Sequence, residues 1–261
     1  MSIPRPIGHL LREWRQRRRL TQLDCALEAE ISTKHLSFLE TGRAQPSREM
    51  VLRLSQLLDV PLRERNTLLV AAGFAPMFKE TPLQDPALQP AREAVEMVLK
   101  GLEPSPAVAI DRYWNLVAAN DCVMPLLRGV AAHLLQPPMN VLRLGLHPDG
   151  LAPRVVNLLE WRAHLLARLE RQIAASADRQ LIDLLDELRR YPAPDGPQPA
   201  SEASIVVPLR LASESGVLSF IGTTTVFGAP LDITLAELAL ESFFPADPTT
   251  AAVLRQLHLA K

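Results

Sequence analysis

Pro76, Pro82, Pro86 and Pro90 fall within a single short stretch, and they limit what the chain can do there more than any other local feature. Each lacks a backbone donor and pushes its predecessor out of the helical region, so neither a helix nor a central strand runs through residues 75–90. The stretch reads as a linker over 77–90, dividing residues 1–76 from residues 91–261. A length of 261 residues agrees with two compact domains. The charge is divided at the same scale. Residues 1–53 hold 10 Lys and Arg against 6 Asp and Glu, which leaves 18 against 23 for the rest, although the whole chain carries only −1. A basic head on an acidic body suits a small polyanion-binding module joined to a domain with another task.

Residues 5–73 predict five short helices. Ile7, Leu10, Leu11 and Trp14 follow the i, i+3, i+4, i+7 spacing of one apolar helix face. Thr21, Ser32 and Ser47 each precede a helical run as N-caps, because a hydroxyl accepts from a backbone N–H that has no partner inside the helix. Gly42 suits a helix C-terminus, and Gly73 closes a fifth helix begun near Leu62. The second half changes to mixed α and β. A helix is expected over Ala91–Gly101, strands over Ala107–Ile110 and Tyr113–Ala119, and amphipathic helices through Leu158–Leu169 and Leu181–Leu188. A loop over Tyr191–Ser204 precedes strands at Ile205–Leu211, Val217–Phe227 and Ile233–Phe243. The fold class is α + β: an all-α five-helix domain followed by a domain with a five-stranded antiparallel sheet.

In a pair of helices joined by a tight turn, the second can enter a DNA groove while the first crosses the backbone. Ala26 is small enough for the crossing, and Ile31, Leu36 and Leu39 anchor the second helix. Gln22 is placed to reach a phosphate, and Thr33, Lys34 and Ser37 face outward. The order Leu20-Thr21-Gln22, Ala26, Ile31 through Arg43, and Pro46-Ser47 resembles the Cro/C1-type helix-turn-helix of the xenobiotic-response-element family. The candidate DNA contacts are Arg17, Gln22, Thr33, Lys34, Ser37 and Arg43. The resemblance implies a structural ion pair between Arg15 and Glu40. Glu30 stands where that family usually has Gly, so a locally strained turn is expected.

Further segments resemble the MmyB-like regulators: Leu68 to Pro76, Pro104-Ser105-Pro106-Ala107, Trp114 to Asn120, Asn140 to Arg143 and Glu241 to Asp247. The resemblance implies a PAS-like sensor domain with a cavity between sheet and helices, holding a small apolar ligand such as a fatty acid or acyl compound. Trp114, Trp161, Phe220 and Phe227 are candidates for its wall, although large aromatics at these spacings are more often ordinary core. Arg143, His147 and His164 are candidates for holding a carboxylate head. Asn120 is either a ligand contact or the cap of a helix beginning near Asp121. The expected partners are double-stranded DNA with a near-palindromic operator, the apolar ligand and a second copy of the chain. The alternative keeps the DNA binding and makes the second domain a ligand-free dimerisation or partner-docking module.

Other classes find little support. A self-cleaving serine–lysine protease needs a lysine in the second domain, where only Lys100 and Lys261 occur. No HExxH, GxGxxG or P-loop is present, so neither a metal nor a catalytic residue is expected. Cys25 and Cys122 form no CxxC and read as buried thiols. With no run of about 18 apolar residues and no signal-peptide core beside Pro4, Arg5 and Pro6, a cytoplasmic protein without membrane contact is expected.

Overall fold

In the computed structural model, residues 5–176, 178–193, 207–228, 230 and 232–259 are described. The chain divides near Thr81/Pro82 into two compact units.

The first unit is helical: α1 (Ile7–Arg17), α2 (Gln22–Glu28), α3 (Thr33–Glu40), α4 (Arg48–Leu57) and α5 (Leu62–Ala71). Three of the starts are the ones the hydroxyls mark. Thr21 accepts from the Asp24 N–H in a reciprocal capping box, Ser32 from His35 and Ser47 from Met50. Gly42 and Gly73 take positive φ after α3 and α5. Leu11, Trp14, Ala26, Leu36, Leu39, Val51, Leu54 and Leu68 form one buried core. Gly8 sets the closeness of α1 to the end of α3, because a Cβ there would lie 2.4 Å from the Leu39 carbonyl oxygen and 2.6 Å from that of Glu40. Glu30 has φ +52°, a left-handed turn where glycine would be unstrained.

The second unit opens with a short 3-10 turn at Pro86–Leu88 and α6 (Gln89–Gly101). The helix starts earlier than Ala91 because Pro90 sits in its first turn, where a missing N–H costs nothing. The five strands are β1 (Ala107–Ile110), β2 (Leu116–Ala119), β3 (Leu209–Ser213), β4 (Gly216–Val226) and β5 (Ala239–Pro245). They form one antiparallel sheet in the order β2-β1-β5-β4-β3. Alternation gives the sheet two apolar faces. Ala107, Ala109 and Leu240 pack with Val95 and Leu99 of α6, whereas Val108, Ile110, Leu211 and Phe220 join a larger core with the remaining helices. These helices are α7 (Val141–Leu146), α8 (Leu158–Ser176) and α9 (Arg179–Arg189); α10 (Ile233–Ala236) precedes β5, and α11 (Pro248–Leu259) follows it.

The strand readings need three corrections. Tyr113 is not in a strand, because Asp111 turns the chain by accepting from the Tyr113 and Asn115 N–H groups, and Trp114 is left at φ +66°. Ile233–Phe243 is not one strand: Ile233–Ala236 is helical, and pairing begins at Ala239. Leu235, Ala236, Glu237 and Leu238 are good helix formers, which outweighs the β-branched start. The strand expected from Ile205 begins at Leu209, and residues 194–206, which hold most of the expected loop, lie outside the described residues.

Candidate functional site

Two regions gather the chemistry. In the helical unit, the buried side of α3 carries Leu36, Leu39 and Glu40, which leaves Thr33 and Lys34 exposed and Ser37 half-buried on the opposite side. Lys34 and Arg43 both lie over the half-buried Phe38 ring, with Nζ at 5.6 Å and Cζ at 5.8 Å from its centroid. Arg17 stacks on Trp14 at 4.8 Å.

Arg15 and Glu40 make the expected ion pair. The guanidinium donates to both carboxylate oxygens at 2.6 and 2.9 Å, and both side chains are buried. A third member is Gln22, whose amide donates to Glu40 Oε2 at 2.8 Å; its side chain thus braces α2 against α3 instead of extending outward. Arg18 is structural as well, donating to the Leu58 and Asp59 carbonyls.

In the second unit, a cavity of about 420 Å³ lies between the sheet and α7 and α8. That is within the roughly 300–1,000 Å³ of small-molecule sites. One stripe of α8 faces it: Trp161, His164, Leu165 and Arg168, at i, i+3, i+4 and i+7. Val108, Phe220 and Phe243 form the sheet side, and Leu142 and Leu144 of α7 close another. The described lining is predominantly apolar, with a polar centre at Arg168 and Glu241. Arg168 donates to Glu241 of β5 at 2.6 and 3.1 Å and to the Thr224 hydroxyl at 3.0 Å. That hydroxyl in turn donates to Glu241 at 2.9 Å. The Arg168 guanidinium also lies 4.9 Å from the Trp114 ring centre, and the Trp114 indole donates to Gln172 at 2.8 Å. His164 stacks on Trp161. Burial, and then the Arg168 and Arg171 charges, push the His164 pKa below its ordinary 6.5.

Of the residues expected to hold a ligand, Trp114, Trp161, His164 and Phe220 line the cavity. Four do not. Phe227 packs on the opposite face of the sheet with Val95, Leu99 and Leu240. Asn120 is a buried latch: its side-chain oxygen accepts from the Ala107 N–H, and its amide donates to the Leu99 and Ser105 carbonyls, so it neither meets a ligand nor caps a helix. Arg143 is committed to a bidentate pair with Glu187 at 2.8 and 2.7 Å, which holds the Glu187 pKa below the carboxylate norm. Tyr191 donates to the same carboxylate, and burial together with that bond pushes its pKa up to about 12. His147 stacks edge-on against Tyr191, outside the cavity lining. Sequence reasoning missed Arg168 and Glu241. The signals were present: Arg168 continues the Trp161 stripe one turn further, and Glu241 is an acid two residues from Phe243, on the inward side of its strand.

A helical DNA-reading head and a sheet domain built around an apolar cavity define a ligand-responsive transcription regulator. A family model described as helix-turn-helix domain matches residues 6–68, and one described as MmyB-like transcription regulator ligand binding domain matches residues 91–257. The chain belongs to the MmyB-like transcription regulators. No curated protein matches it. Among the described residues, no helix is long and apolar enough to cross a membrane.

Proposed function

We propose that this regulator is a cytoplasmic, non-enzymatic homodimer whose affinity for a near-palindromic operator is set by a fatty acid or related acyl compound in the C-terminal cavity. The observation that carries the reading is the predominantly apolar cavity with the Arg168–Glu241 pair in its wall, in a chain that also bears a helix-turn-helix. An alkyl chain gains about 0.8 kcal/mol for each methylene it buries. The wall offers Arg168, Thr223 and His164 to a polar end. Thr33, Lys34 and Ser37 are proposed to meet base edges, and Arg17 and Arg43 the phosphates, with a second copy supplying the other half-site, while Gln22 stays with Glu40 as a brace.

Mass spectrometry of the purified protein released from denaturant, followed by thermal melts with a graded acyl series, tests the reading. A co-purified acyl molecule and a melting temperature that rises with chain length support it. If no acyl compound raises the melting temperature or shifts operator binding, the second domain is instead a ligand-free docking or dimerisation module.

A further inference from the structure

We infer that His133, His147 and Asp149 form a binding site for a divalent first-row transition ion, with zinc as the reference case, on the surface of the C-terminal domain. One ligand atom from each residue is available, and the three atoms lie within 4.8 Å of one another. With metal–ligand bonds of about 2.0–2.2 Å, one ion reaches all three after small rotations of exposed side chains. Two imidazoles and one carboxylate suit zinc and its neighbours better than calcium or magnesium, which prefer oxygen alone. Water would fill the remaining positions.

The backbone brings these residues together. His133 lies on a 3-10 turn (Ala132–Leu135), His147 at the C-terminus of α7 and Asp149 in the turn that follows. The Ala131 N–H donates to the Asp149 carbonyl at 3.0 Å, which ties the first segment to the last. The turn itself is closed by Gly150 donating to the His147 carbonyl at 2.9 Å and Leu151 donating to that of Leu144 at 2.8 Å. A Cβ at Gly150 would stand 2.4 Å from the Leu144 oxygen, so this packing needs glycine. The His147 ring is held edge-on between His133 at 5.5 Å and Tyr191 at 4.9 Å. Its Nδ1 accepts from the Asp149 N–H at 3.0 Å, so that nitrogen already presents a lone pair. An ion taking that lone pair displaces the hydrogen bond from the Asp149 N–H, and Asp149 is an exposed residue.

The expectation of no metal rested on the lack of a motif, and none exists. The fourteen-residue interval from His133 to His147 has no periodic meaning, and the Ala131–Asp149 bond helps to close it.

The test is a titration of the full-length protein with cobalt(II), followed by its visible absorption, and then displacement by zinc. The expected result is one equivalent per chain with bands that zinc removes. His133→Ala and Asp149→Asn, both at exposed positions, should each weaken binding by at least about tenfold, the loss that changes around a metal site typically cause. His35→Ala and His258→Ala should leave it unchanged, and metal-free melting temperatures confirm that every variant is folded. No saturable cobalt spectrum, or an undiminished one in both His133→Ala and Asp149→Asn, overturns the assignment.

Discussion

Arg168 and Glu241 meet at the cavity wall through two hydrogen bonds of 2.6 and 3.1 Å, one partner from α8 and the other from β5. The carboxylate is almost fully buried, and the arginine side chain keeps 23% of its exposure. The pair joins helix to sheet, and it also sets the charge that a bound ligand meets.

Glu241→Gln keeps the shape of this centre and removes one charge. Breaking a buried pair costs about 3–5 kcal/mol, and the partial exposure of Arg168 places the expected loss at or below the lower end. Ligand preference should move the other way. A fatty acid head has to compete with Glu241 for Arg168, whereas an alcohol of equal length does not. Freeing the guanidinium should therefore favour the acid over the alcohol by about tenfold or more, the value of one charge-assisted hydrogen bond. Calorimetry on the two ligands decides it, and an unchanged ratio would place the head group elsewhere.

Arg15 and Glu40 offer a cleaner cycle, because both side chains are buried and Gln22 completes the network. Glu40→Ala should cost about 3–5 kcal/mol, since it leaves a buried guanidinium without its partner. Denaturant melts of both single variants and the double variant should show coupling well above 0.5 kcal/mol. Additive losses would mean that the pair contributes nothing in solution.

Gly8→Ala is expected to destabilise the helical unit although alanine is the better helix former. The added methyl meets backbone oxygens of Leu39 and Glu40, and backbone cannot turn aside as a flexible side chain does. Overpacking of this kind costs about 1–3 kcal/mol, which exceeds the roughly 1 kcal/mol gained in helix propensity. A melt unchanged or raised by the substitution would show that α1 shifts freely.

The helical unit was legible because its signals are local. Thr21, Ser32, Ser47 and Gly73 each mark a boundary within a few residues, and the structure uses each one. The positive φ at Glu30 was readable from the missing glycine. The cavity was only half legible. Trp161 and Phe220 announced an apolar wall, but an equally aromatic Phe227 belongs to the other face of the sheet, because alternation places adjacent strand positions on opposite sides. Arg143 could not be told from Arg168 by sequence, since their partners, Glu187 and Glu241, lie 44 and 73 residues away. Asn120 was misread for the same reason: its carbonyl partners lie across the fold at Leu99 and Ser105. The helix α11 was missed although Asp247-Pro248 carries its start signal, with the Asp247 side chain accepting from Thr250.

His164 gives the cavity a pH dependence. Burial and the Arg168 and Arg171 charges hold its folded pKa below 6.5, and Glu160 and Glu241 oppose that only partly. In the window between the two pKa values the unfolded chain binds the extra proton, so stability rises with pH there. Stability should therefore be intact above about pH 6.5, fall as the pH drops towards the folded pKa, and level off below it. His164→Gln should flatten that slope. The difference between the two proteins' stability profiles isolates this residue from the other histidines, and identical profiles would show that His164 is not the source.

The two halves of the molecule should separate cleanly in operator binding. One recognition helix reads only a few base pairs, so the proposed dimer on a near-palindromic operator would supply the specificity. A ligand acts only through its differential affinity for the DNA-competent and incompetent arrangements, and typical coupling of 1–3 kcal/mol corresponds to about 5- to 150-fold in operator affinity. Lys34→Ala should change base preference at one or two positions in each half-site, by about 1–3 kcal/mol at each. It should leave the ratio of affinities with and without ligand untouched, because Lys34 lies on α3 and does not line the cavity. Arg17→Ala should weaken all sequences alike and lower the salt slope by about one phosphate contact. Glu241→Gln should do the reverse of Lys34→Ala, altering the ligand ratio and leaving base preference alone. Binding assays on a set of single-base operator variants, at two salt concentrations and with and without acyl ligand, distinguish all three. If Lys34→Ala instead lowers affinity uniformly and Arg17→Ala changes base preference, α3 is not the helix that reads the groove.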